Sequence, residues 1–370
     1  MAHTIKEAEK AIEDLIKIGN ECGLNINKNK SHILIFNMKE KPNNIKEIEV
    51  VKQIKYLGIK VNDTRNCFKD QKSEAIGKAN RMANMTYPVI AQSCNKILIG
   101  KTYWKSVVLP SVLYGSSIIG FTKTEINKLQ NIENRLFRQI LGAPRYAQKV
   151  TLRGEIGAST MEARIMEGSI KYLKYLREDS NDLLRRITEE KLNNKKDPWT
   201  MEIRKYINIL NLGETDLASI LKEEIKKKVK NWDTRKWQEE LGEKSSLEIY
   251  RAFKSEIKGE EELYDNTEAS VILYRCRTNN LNLRDRNRHV GGDIKCLLCN
   301  AEIEDIKHFI LWCPIYIEER VKETALQQPY VEEENQVIGN LLFKEENQER
   351  VKKMLYGMWR TRTKKMKELE

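Results

Sequence analysis

The apolar positions of residues 5–21 fall on one helical face. Ile5, Ala8, Ile12, Leu15 and Ile16 recur among lysines and glutamates at helical spacing. That pattern predicts an amphipathic helix, closed by Gly23 as a C-cap glycine would close it. The next apolar run, His32 to Phe36, is short and continuous, which predicts a buried strand. Pro42, Asn43 and Asn44 have turn chemistry. From Ile48 to Val61 apolar and polar residues alternate around Tyr56, Leu57 and Gly58, the pattern of a hairpin or meander. Past Asn62 the strand signal fades. Residues 70–180 predict four or more helices, broken at Pro88, at Ser93–Asn95, at Pro110, at Thr122 and at Pro144. Pro110 lies within the apolar stretch from Tyr103 to Tyr114, so it kinks a helix or splits one in two. Thr122 and Glu125 have capping-box spacing ahead of a helix over 123–141, which Gly142, Ala143 and Pro144 end.

Residues 181–265 are charged and helical in pattern, with sparse Trp and Leu and a boundary from Asn193 to Pro198. The runs Lys226–Lys228 and Glu260–Glu262 read as solvated faces. A last helix, roughly 344–368, carries Val351, Leu355, Met358 and Trp359 on one face and a basic tail. The elements together predict a predominantly α-helical α+β chain with a small N-terminal sheet.

Composition narrows this picture. The chain has 370 residues, 40% hydrophobic and 32% charged, enough for two or three domains with packed cores and too apolar for wholesale disorder. Sixty-six Lys and Arg against 54 Asp and Glu give a net charge of +12, which permits a polyanionic partner. No run of about 18 apolar residues exists, so no membrane span is expected. The stretch MAHTIKEAEKAIEDL is too charged for a signal peptide. Seven cysteines, an odd count without an export signal, read as reduced thiols or metal ligands.

The sharpest chemical signal is C-x2-C-x8-H-x4-C, formed by Cys296, Cys299, His308 and Cys313. Two thiolates two residues apart can grip one ion from a tight turn, and His308 and Cys313 can close a tetrahedron from a short helix. Three thiolates and an imidazole leave no open position, so a structural zinc is expected. A blander arrangement would be three buried cysteines and a core histidine. Cys276 could be a spare ligand but reads better as a buried thiol. Cys22, Cys67 and Cys94 have no partner pattern. Arg275, Arg277, Arg284, Arg286 and Arg288 crowd just ahead of the motif, where guanidinium groups could hold phosphate backbone or pair with glutamates. The Walker, G-x-G-x-x-G, H-E-x-x-H and G-x-S-x-G motifs are absent, as is any Asp-Asp dipeptide.

Gly23 to Ser31 (GLNINKNKS) followed by HILIF resembles the segment after the catalytic hairpin in reverse transcriptases of non-LTR, LINE-like retrotransposons. Ile54 to Ile59 (IKYLGI) resembles the primer-grip hairpin that follows in those enzymes. The stretches Tyr103–Gly115 and Leu136–Gly142 are similar to the thumb beyond it, and Cys296–Cys313 with Pro314 resembles the family's C-terminal Cys/His knuckle. The order of these blocks agrees along nearly the whole chain, with 181–265 matching loosely. The resemblance implies that Lys30 lies near the incoming nucleotide, that Tyr56, Leu57 and Gly58 form the primer grip, with Tyr56 packed beneath it, and that Arg275–Arg288 form a basic lead-in.

The family's catalytic aspartates would lie upstream of Gly23. The resemblance therefore implies a C-terminal portion: a palm remnant at 1–62, a helical thumb at 63–180, a charged connector at 181–265, and a lead-in, zinc knuckle and final helix at 266–370. It implies template–primer and element RNA or DNA as partners and no catalysis by this chain alone. Mg is expected only for the full-length RNA-directed DNA polymerase, and the setting would be nucleus and cytoplasm. The alternatives are a protein-interaction scaffold with a structural zinc, a polymerase active only when joined to upstream domains, and a decayed genomic copy. In the last case the strand after Lys30 would lack sheet partners and expose an edge.

Overall fold

Thr4 opens the first helix by accepting a hydrogen bond from the Glu7 amide, and α1 (Ile5–Glu21) runs to a left-handed Gly23. The computed structural model describes residues 2–92, 95–178, 181–194, 196–213, 219–257, 264–324, 333–344, 346 and 348–369. Cys94 and the glutamate run 260–262 lie outside the described residues. The fold is a predominantly helical α+β chain with two small sheets.

In the first sheet, β1 (His32–Leu34) pairs parallel with β3 (Ile48–Val51), and β3 pairs antiparallel with β2 (Asn44–Ile45). Ile33 sits opposite Val50, and Ile45 opposite Ile48. Ile12 of α1 closes a small core with Ile45 and Ile48. Two expectations are corrected here. The run His32–Phe36 is not a fully buried strand: only three residues are extended, and they stand exposed or half-buried at the sheet edge. Nor does this strand lack a partner, because the turn at residues 46–47 folds β3 back alongside it. The second sheet is the hairpin of β4 (Gln53–Tyr56) and β5 (Ile59–Asn62). Its two turn residues, Leu57 and Gly58, have φ of 45° and 84°. Two successive positive φ values make the tight turn whose twist matches the flanking strands.

The helical part begins with α2 (Lys69–Ala91), which runs straight through Pro88. A proline costs an interior helix about 3 kcal/mol. Here only the last turn bears that cost, and buried Ile90 anchors the end. The expected break at Pro88 therefore does not occur. After α3 (Lys96–Tyr103), the chain widens into a π turn at Trp104–Val108 before α4 (Leu109–Val112), so Pro110 enters at the start of a new helix. Next come α5 (Ser116–Ile119) and α6 (Lys123–Leu141), the latter opened by the full Thr122/Glu125 capping box and closed by left-handed Gly142. These helices share a core that includes Leu129, Leu136 and Phe137. Glu133, wholly buried in it, accepts from Trp104 Nε1 at 2.7 Å and Arg164 at 2.6 Å.

A second core joins α8 (Met161–Glu178), α10 (Pro198–Ile209) and α11 (Lys222–Gly242), with α7 (Lys149–Ile156) before them and α9 (Asp182–Asn193) between. Asp233 of α11 ties this group back, accepting from Arg153 at 3.0 Å and the Thr160 hydroxyl at 2.7 Å. Deeper still is Glu155 of α7. Its carboxylate accepts from the hydroxyls of Tyr250 (2.8 Å) and Tyr264 and faces Arg277 Nε at 3.3 Å and Lys254 Nζ at 3.7 Å. Tyr250 lies on α12 (Glu248–Phe253) and Arg277 ends α13 (Glu268–Arg277). The C-terminal core packs α13 against α15 (Glu334–Phe343) and α16 (Gln348–Leu369), and α14 (Ile317–Thr324) lies against α16, with Phe309, Leu355 and Met358 at the centre of the core.

Candidate metal centre and nucleic-acid interface

The chain around Cys296 folds into a short turn because its backbone groups are paired locally. The Cys296 amide donates to the Ala301 carbonyl at 2.9 Å, the Asn300 amide to the Cys296 carbonyl at 2.8 Å, and the Glu304 amide to Ile294 at 2.8 Å. Asn300 takes a left-handed φ of 62°, which asparagine tolerates well. Leu298 and Cys299 amides point at the Cys296 sulfur. The second pair comes from one turn: Asp305 caps the His308 amide at 2.8 Å, and the Cys313 amide bonds the His308 carbonyl at 2.8 Å. Phe309, fully buried within that turn, packs edge-on against Tyr316 and Trp359.

These two turns bring the four side chains together. One ligand atom from each of Cys296, Cys299, His308 and Cys313 lies within 4.8 Å of the others, and Cys299 Sγ is 3.3 Å from His308 Nε2. Around one zinc with bonds near 2.3 Å, tetrahedral sulfurs stand about 3.8 Å apart. The donor set and spacing thus fit a closed four-coordinate site for zinc. Burial pushes the Cys296 and Cys313 thiols up and His308 down. A cation at the centre would reverse the preference for the thiols, while a neutral imidazole is already the ligating form. Among the described residues this is the one group of three or more metal-ligating side chains. Cys276 stays outside it, buried on α13 with its thiol pushed up by burial.

The five arginines are placed differently from one another. Arg275 donates to the Gly142 carbonyl at 2.9 Å. Arg277 is buried on Glu155. Arg284 meets Asp293 at 3.0 Å. Arg286 donates to the Asn279 and Leu281 carbonyls and stacks over Tyr146 at 4.3 Å. Arg288 is exposed. Lys30 is exposed on the turn before β1, where its amide bonds Asn27 Oδ1 at 3.2 Å. Tyr56 and Leu57 project at the hairpin tip, 66% and 74% exposed. Tyr56 is thus not packed beneath Gly58; the residue there is Tyr114. The Tyr114 hydroxyl donates to the Leu57 carbonyl at 2.7 Å, and its ring edge would lie 3.2 Å from a Cβ placed on Gly58. No local signal pairs Tyr114 with the hairpin 57 residues earlier.

A further contact joins the metal turn to the last helix. Glu304 accepts from Arg362 Nε and Nη2, both at 2.8 Å, and from the Arg284 amide at 3.1 Å. Both side chains are buried, and no local signal announces the pair because 58 residues separate them.

No protein-family model matches this chain, and no solved structure matches it significantly. Over 136 residues, 36% of its length, the chain is 27% identical to the probable RNA-directed DNA polymerase from transposon BS of Drosophila melanogaster. The match spans 15% of that protein. The chain is therefore distantly related, over part of its length, to a transposon reverse transcriptase. No described helix is long and apolar enough to cross a membrane.

Proposed function

We propose that this chain is the post-catalytic portion of a non-LTR retrotransposon reverse transcriptase and engages nucleic acid without catalysing polymerisation itself. The similarity to a transposon polymerase over 136 residues carries this reading. In it, residues 1–62 are a palm remnant, 63–180 the thumb, 181–265 a connector and 266–370 the lead-in, knuckle and final helix. Cys296, Cys299, His308 and Cys313 hold a structural zinc, whose chemistry is confined to fixing the two turns in place. The Tyr56–Gly58 tip, buttressed by Tyr114, meets the duplex, and Lys30 and Arg288 are free to approach phosphates. The aspartates and Mg needed for polymerisation belong to the rest of a longer protein.

Phosphate neutralisation then governs affinity. Six or more phosphate contacts would cost about a thousandfold in affinity for duplex between about 50 and 200 mM salt. Titration of a labelled structured RNA by fluorescence anisotropy at both salt concentrations is expected to show a loss of this kind. Affinity that ignores salt would overturn the reading. A second reading, a protein-interaction scaffold with zinc only closing the fold, is favoured by the internal engagement of Arg275, Arg277, Arg284 and Arg286. It requires no polyanion affinity in the same titration.

A further inference from the structure

Helix α16 buries Val351, Met354, Leu355 and Met358 along one face. Lys353, Arg360, Lys364 and Lys367 follow one another at spacings of seven, four and three, which places them along the opposite face, and all four are exposed. Among the described contacts none of the four pairs with a carboxylate; Arg360 lies over the Tyr356 ring, 5.9 Å from its centroid. The described acids that reach this helix from other elements bond its other residues, and the helix's own Glu349 is held by Lys352. Glu304 is held by Arg362, Glu268 accepts from the Tyr356 hydroxyl at 2.9 Å, Glu319 from the Thr361 hydroxyl at 2.6 Å, and Asp265 from Lys352 at 2.8 Å. The stripe is thus a row of four exposed cations without a described ion pair, about 21 Å long at helical rise. One strand of a duplex offers about six phosphates over that length.

We propose that this face of α16 is a binding surface for the phosphodiester backbone of nucleic acid, read without regard to sequence. The proposal rests on the nucleic-acid reading above and assigns its main electrostatic contact to residues outside the knuckle and its lead-in. The Glu304–Arg362 pair fixes the helix against the metal turn, so the stripe is presented in a set orientation and loses little freedom on binding. The occupant is chosen by charge: an extended polyanion matches a row of cations spread along one exposed helix face.

The test uses the full zinc-loaded chain, a structured RNA and an unrelated DNA duplex. One variant carries Lys353→Gln, Arg360→Gln, Lys364→Gln and Lys367→Gln. A second carries Lys222→Gln, Lys226→Gln, Lys227→Gln and Lys230→Gln, four exposed lysines of α11, so that both lose the same net charge. All eight positions are at the surface, and unchanged thermal melting confirms folding. The α16 variant is expected to bind both ligands at least tenfold more weakly at low salt. The slope of log K against log salt should become shallower by about 3–4, as the loss of four phosphate contacts requires. The α11 variant should change affinity less than threefold. Equal losses in both variants would reduce the effect to net charge and overturn the proposal. Unchanged binding by the α16 variant, with the parent chain still salt-sensitive, would overturn it and leave the nucleic-acid reading standing. No binding by the parent chain overturns both. Loss of retention on phosphatidylserine vesicles, with RNA binding intact, would assign the stripe to a lipid surface instead.

Discussion

Glu155 shows how a single buried charge can be made tolerable. Burial alone would raise its pKa, but Arg277 and Lys254, with hydroxyl bonds from Tyr264 and Tyr250, hold it below the ordinary value of 4.5. Its neighbour Gly154 has no room for a side chain, because a Cβ there would strike the Tyr250 hydroxyl. Replacing the carboxylate by Glu155→Gln leaves two buried cations without their shared anion. Breaking a buried pair in this way costs about 3–5 kcal/mol, and urea denaturation at neutral pH should show a loss of that size. The pH dependence has a definite sign. A depressed folded pKa contributes stability that is fully present above the unfolded value and is lost as pH falls through the folded value. The difference between parent and Glu155→Gln should therefore shrink on acidification below 4.5. A difference that stays constant from neutral to acid would show that folding does not shift this carboxylate's pKa.

At the scale of elements, what the sequence revealed was what short-range chemistry decides. The Thr122/Glu125 capping box needs only four consecutive residues, and it stands as expected. The Cys/His spacing needs only two local turns, and it brings four donor atoms together. The turn at Leu57 and Gly58 was visible for the same reason. Helix α2 continues past Pro88 because distant partners bury Ile90, and the strand at His32 is paired because β3 returns beside it. Such outcomes depend on partners that no local window contains. The metal turns allow a direct check. A His308→Cys chain keeps four zinc donors, whereas His308→Ala keeps three. Metal analysis of purified protein should find about one zinc per chain in the parent and in His308→Cys, and markedly less in His308→Ala. Equal zinc content in all three would remove His308 from the ligand set.

Across the whole molecule, side chains far apart in sequence join its separate cores. Arg275 on Gly142 and Arg286 on Tyr146 seat the C-terminal core against the first helical one, and Arg362 locks α16 to the metal turn through Glu304. These contacts explain why most of the basic lead-in faces inward, which its charge alone could not reveal. A double-mutant cycle with Glu304→Gln and Arg362→Gln is expected to give a coupling energy of about 0.5–3 kcal/mol, the range for residues in one salt-bridge network. Additive effects would mean that the helix is held by its apolar face alone. The long reach of the Glu155 cluster also bears on how the protein is made. Arg277 follows Glu155 by 122 residues. At 5–20 residues per second, a ribosome needs roughly 6–25 s to add them. For that interval the nascent chain carries the glutamate without its principal counter-charge. The early helices must therefore keep it hydrated, and their final closure waits for the last third of translation.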